Sequence, residues 1–184
     1  MGGYCKMALK PDYETDQEEG VQITQDEKDC DQFVKNYRHF GWELLLKKEH
    51  PVYDDDGKRY KDSDLYDVII ERNKNLLHYQ QLKDLETEFQ NLSQQIQLRK
   101  DTVGLTGEKY DPDYIDYESE KPLAEIYKLT AGRAILNTVC CFFVIGFLMW
   151  GDSVLKLLKN GKVRKVESIR QQCKKIMQKA DELD

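Results

Sequence analysis

Three histidines (His39, His50, His78) and five cysteines are the side chains that could join as soft or borderline metal ligands, and their spacing keeps them apart. No C-x-x-C pair occurs, and no histidine stands at a zinc-ligand interval from a cysteine. The strongest acidic run is Asp54-Asp55-Asp56-Gly57. Setting Gly57 at the invariant glycine of a calcium loop puts Val52 at the first ligand position and Ser63 at the last, where a Glu is needed. The run therefore reads as an acidic turn. The chain also lacks a glycine-rich phosphate loop, a nucleophile elbow and an H-E-x-x-H pair. Carboxylates are abundant, but abundance alone does not make an acid and a base with separately tuned surroundings. These residues predict no catalytic centre, no cofactor and no metal. Cys5 and Cys30 could bridge in an oxidising space, with free thiols the expected state. Gly2 follows the initiator Met, but Lys6 replaces the Ser or Thr that N-myristoylation prefers.

What remains is chemistry of contact, and it centres on Ala134 to Trp150, AILNTVCCFFVIGFLMW, which carries no charge. Its length lies at the short end of the ~17–25 residues that cross a hydrocarbon core. Arg133 and Asp152 bound it, and Lys156 and Lys159 could snorkel to lengthen it. The stretch predicts one transmembrane helix containing Ala134, Asn137, Thr138, Phe142, Phe143, Gly146 and Trp150. Tyr127 and Trp150 suit its two interfacial belts. Asn137 and Thr138 are its polar side chains besides the thiols, placed to hydrogen-bond a neighbouring helix for about 1 kcal/mol or less. No ionisable residue lines it for ion passage.

The elements that hold this span read as helices. Thr24 to Glu27 has the T-x-x-E pattern of a capping box. Cys30, Phe33, Val34, Tyr37, Phe40, Leu44 and Leu45 then follow at helical spacing, predicting a helix over about 24–49 that stops before Pro51. A second helix is predicted over about 63–100, where Leu82, Leu85, Phe89, Leu92 and Ile96 step by three and four. The seam is short, so it suits a hairpin or a docked helix, with these five side chains as partner contacts. Residues 1–22 are acidic and aperiodic and predict a flexible segment. Residues 101–122 form an irregular connector in which Tyr110, Tyr114 and Tyr117 would contact a partner. Val166, Ile169, Cys173, Ile176 and Met177 share one face of a tail helix over 161–184. Arg170, Lys174, Lys175 and Lys179 make that helix basic, suited to anionic lipid or a neighbouring subunit. The predicted class is all-α: a single-pass membrane protein with a hairpin-like arm, one transmembrane helix within 123–160 and a basic amphipathic tail.

Residues 1–133 carry 19 Lys+Arg against 29 Asp+Glu, and residues 151–184 carry 9 against 5. An acidic arm argues against nucleic acid. The basic flank after the span puts the tail on the electrically negative side. For an inner mitochondrial membrane that means tail in the matrix and arm in the intermembrane space. One span, amphipathic arms and no cofactor resemble the general plan of small accessory subunits of respiratory complexes. The expected function is thus a non-catalytic subunit of a respiratory-chain complex that packs its span on the membrane core and staples neighbouring subunits. A membrane-region subunit of ATP synthase and a SNARE-like cytosol-facing tether are the alternatives.

Overall fold

A computed structural model describes residues 11–53, 55–57, 64–103, 105, 110–112, 115–123, 130–140 and 145–183. Four strands form one antiparallel sheet in the order β1-β2-β4-β3: β1 (Tyr13–Glu14), β2 (Glu18–Asp26), β3 (Glu43–Glu49) and β4 (Leu65–Asn73). Among the described residues four helices accompany it: α1 (Glu27–Arg38), α2 (Tyr79–Val103), α3 (Ala131–Cys140) and α4 (Ile145–Asp181). The all-α expectation is overturned by this sheet. β2 and β3 both run antiparallel to β4 and hence parallel to each other, and α1 is the crossover that a parallel pair requires. β4 enters between them afterwards, a split βαβ arrangement.

Side chains sort by strand period. Val21 and Ile23 of β2 and Val68 and Ile70 of β4 are buried, while Gln22 and Thr24 are exposed. Cys30 and Phe33 of α1 close over the inner face with Phe40 and Trp42. Acidic residues begin α1 (Glu27, Asp29) and basic ones end it (Lys35, Arg38), which suits its dipole. The spacing of Cys30, Phe33, Val34 and Tyr37 belongs to this helix, but its extension to Leu44 and Leu45 is corrected. Gly41 breaks the pattern: its φ is +79°, and a Cβ there would lie 2.7 Å from Leu76 Cδ1. Leu44 to Leu46 continue as the bulged edge strand β3. The helix expected over 63–100 is corrected likewise. Its first third, L-Y-D-V-I-I, is β-branched and pairs as β4, and helix begins at Tyr79 after His78 at φ 65°.

The acidic run contributes a turn with Gly57 at φ +75°, Asp54 lying outside the described residues. Part of the segment expected to be flexible is ordered as β1 and the start of β2.

α2 and α4 pack against each other. Leu82, Phe89 and Ile96 are buried on α2, with Leu85 and Leu92 half-buried. Val166, Ile169, Cys173, Ile176 and Ala180 are buried on α4 at the same alternation of three and four. The tail face expected to meet lipid or another subunit is therefore covered from within the chain. α4 also runs through Asn160-Gly161 without ending.

The continuous span is corrected too. α3 ends at Cys140, α4 starts at Ile145, and the two lie side by side: Asn137 Nδ2 donates to Ser153 Oγ at 2.9 Å, sixteen residues on. With only residues 141–144 between the helices, that contact requires the chain to reverse. Ten helical residues rise ~15 Å, half a hydrocarbon core. Among the described residues no helix is long and apolar enough to cross a membrane. The membrane class and the inner-membrane location with its matrix tail fall with the span.

Candidate functional site

Charge inside the body is committed to structure. Arg72 of β4 and Glu19 of β2 stand on the inner face of the sheet, almost wholly buried. Arg72 Nη2 lies 2.5 Å from Glu19 Oε1, and Nη1 lies 2.6 Å from Glu86 Oε2 on α2. The same guanidinium donates to the Phe40 carbonyl at 3.1 Å and lies over the Trp42 ring at 4.4 Å. The Tyr79 hydroxyl donates to Glu19 at 2.9 Å. Burial pushes the Glu86 carboxyl above its ordinary range, against the pull of Arg72. Each charge is paired, so the cluster locks the sheet to α2.

A second buried cation fastens the connector. Arg170 of α4 donates to three backbone carbonyls, those of Asp116 (3.2 Å), Ser119 (2.8 Å) and Lys121 (3.3 Å). It also meets Glu167 at 2.6 Å. Burial alone would raise the Glu167 carboxyl, but bonds from Arg170, Gln171 and the Leu123 N–H hold it below the usual value. On the other side, Lys35 of α1 reaches Asp116 (3.1 Å) and Glu118 (2.7 Å). His39 stands between Asp181 (2.6 Å) and Glu118 (3.3 Å). The stretch 115–121 is thus a clasp across α1 and α4. Tyr110 and Tyr117, expected to meet a partner, are buried in the chain's own core. The Tyr117 ring sits edge-on to Phe89 at 5.1 Å. Tyr114 lies outside the described residues.

Phe142 and Phe143 of the expected span also lie outside the described residues. Gly146 and Trp150 open α4, Ala134 is half-buried, Thr138 is exposed, and Asn137 is fully buried against Ser153. Val163 is the first α4 residue beyond Ser153 to be buried, so α3 and residues 145–162 form an arm past the packed body. Its outer side chains are apolar and unburied: Ile135, Leu136 and Val139 on α3, and Val154, Leu155, Leu157 and Leu158 on α4. Leu155 and Leu158 are 68% and 59% exposed. Large apolar side chains left open in this number are uncommon on a helix pair.

Charge divides the arm lengthwise. Asp152, Lys156 and Lys159 recur at i, i+4 and i+7 on α4 and share a face with Arg133, which lies 4.0 Å from Asp152; Lys156 lies 2.6 Å from it. Trp150, Val154, Leu157, Leu158 and Gly161 recur on another α4 face, beside Ala131, Ala134 and Thr138 of α3. That second face has no charge. Sequence reasoning misses it because the uncharged run reads as a single rod. The available signal was the change after Gly151, where leucines and lysines alternate at helical spacing. Among the described residues no group of three His, Cys, Asp or Glu side chains could hold a metal ion. No protein-family model, curated protein or solved structure matches the chain.

Proposed function

We propose that this chain is a non-catalytic structural subunit of a larger protein assembly, joined to it through the α3–α4 arm. One observation carries the reading: the arm holds seven large apolar side chains in the open, while the ionic clusters of the body are paired internally. Those seven are between 39% and 68% exposed, and large apolar side chains grouped on one arm mark an interaction site. The sheet, the Arg72 lock and the connector clasp serve as a rigid base that aims the arm. The buried Asn137–Ser153 bond fixes its two helices to each other before any partner arrives.

Native electrophoresis of cell extracts, with each band identified by mass spectrometry, tests this. The chain is expected in a species heavier than its own 21.7 kDa that contains other proteins, and Leu155→Glu combined with Leu158→Glu is expected to release it. A wild-type chain that runs free at its own mass overturns the reading.

A further inference from the structure

We infer that Asp56-Gly57 is a site of spontaneous backbone isomerisation, and that the fold shelters Asn160-Gly161, the pair that would react first in an unfolded chain. These are the Asp-Gly and Asn-Gly pairs of the sequence. In each, the glycine amide nitrogen can attack the side-chain carbonyl carbon of the residue before it. A C–N bond forms and the leaving group departs, as water from a protonated Asp or as ammonia from Asn. The product is a cyclic imide. Water then opens the imide at either carbonyl, giving Asp or its β-linked isomer, so the reaction needs no partner but solvent. Ammonia leaves the amide of Asn at neutral pH more readily than water leaves an ionised Asp, which sets the order in a chain without structure.

The fold acts on two requirements of the attack. The amide nitrogen must give up its proton, which a hydrogen bond resists, and the local backbone must turn until nitrogen and carbonyl carbon meet. Asp56 and Gly57 satisfy both. They lie exposed in the turn between β3 and β4, outside any strand or helix. Among the described residues the Gly57 N–H makes no hydrogen bond. A Cβ built on Gly57 would meet nothing within 4 Å, so the nucleophile stands in open space, on a residue free of the side chain that restricts turning elsewhere.

Asn160-Gly161 satisfies neither. α4 runs unbroken from Ile145 to Asp181, which directs the Gly161 N–H at the Leu157 carbonyl, four residues back. The helix is also fastened on both sides of the pair, by the buried Asn137–Ser153 bond before it and by the buried Val163 and Val166 after it. Imide formation there waits for that turn to open, which slows it by about tenfold or more.

The test is incubation of the purified full-length chain for several weeks in neutral buffer made with heavy-oxygen water. Each imide that opens installs one solvent oxygen, which peptide mapping by mass spectrometry places on a residue, and chromatography separates the β-linked isomer. In the native chain Asp56 is expected to take up heavy oxygen and yield the isomer while Asn160 keeps its amide. In guanidinium the order is expected to reverse, with Asn160 speeding up by about tenfold or more and Asp56 changing by less than about threefold. Asp56→Glu, whose imide would need a larger ring, is expected to keep the wild-type circular dichroism and to take up no heavy oxygen at that position. A native chain in which Asn160 reacts before Asp56 overturns the inference. So does an Asp56 rate that rises tenfold or more on unfolding, and so does a native chain in which neither site reacts.

Discussion

Arg72 Nη1 meets Glu86 Oε2 at 2.6 Å in a pocket that excludes water from both, and Glu19 closes the other side of the same guanidinium. Two carboxylates share one cation here. Removing the cation strands two buried negative charges, whereas removing all three charges strands none. Arg72→Met is expected to cost about 3–5 kcal/mol in urea denaturation. Adding Glu19→Gln and Glu86→Gln to Arg72→Met is expected to restore much of the loss. Equal stability of the single and triple variants would show that the charges are not coupled.

The clasp depends on fork geometry as well as charge. Arg170→Lys keeps the cation but cannot reach three carbonyls from one planar group. Hydrogen exchange across residues 115–123 is expected to speed up in this variant while β2 and β4 keep their protection. Endoproteinase cleavage after Glu118 or Glu120 should accelerate alongside it. Unchanged exchange in 115–123 would remove Arg170 from the role given to it.

Acid stability has an identifiable contributor in Asp67. The Thr24 hydroxyl donates to its Oδ1 at 2.6 Å and His50 lies 2.9 Å from the same oxygen, holding the carboxyl below its ordinary 3.8. A depressed folded-state value means the ionised form favours the fold. The contribution is present above the unfolded value and is lost as pH falls through the folded one. Asp67→Asn is therefore expected to flatten the stability curve below about pH 4 and to lower its neutral plateau. Chemical denaturation at a series of pH values reads both effects.

Burial controls the thiols of Cys30 and Cys173. Both are free, and burial raises each pKa, that of Cys173 to about 12. At pH 8 neither carries appreciable thiolate, the form that reacts. Peptide mapping after iodoacetamide treatment is expected to find both unmodified in the native chain and modified after unfolding in guanidinium. Rapid native alkylation of Cys173 would contradict the packing of α4 on α2.

Gly41 offers a backbone test. Its φ of +79° is left-handed, and a Cβ would press on Leu76 at 2.7 Å. Gly41→Ala is expected to cost about 1–2 kcal/mol from backbone strain, with a further loss from displaced packing at Leu76. A thermal melt measures it, and an unchanged melting temperature would argue that the α1–β3 turn differs from the one described.

Local order was written in the sequence wherever one period dominated. The three-and-four spacing of Leu82 to Ile96, the tail stripe from Val166 to Met177 and the stripe from Cys30 to Tyr37 all stand on helices, because helical spacing survives in any context that buries one face. The 24–49 stretch defeated the same reasoning. Leu44 and Leu45 match a helical step by coincidence, and a lone Gly41 does not reveal in the sequence that it must adopt positive φ. The alternation of Glu19, Val21 and Ile23 was present but hidden, because its first inward residue is a carboxylate that Arg72 and Tyr79, more than fifty positions away, make tolerable.

By itself the sequence determined the uneven charge, the lack of a ligand set at metal spacing and the existence of one uncharged apolar stretch. Tertiary structure decided what each is packed against. It placed β4 between β2 and β3, drew Tyr117 and Arg170 into one clasp, and folded Ala134–Trp150 back on itself instead of leaving it straight. The physical reason is shared by all three: a contact between distant residues depends on the chain's path, and composition and period record only what a residue asks of its neighbours, not which neighbours arrive.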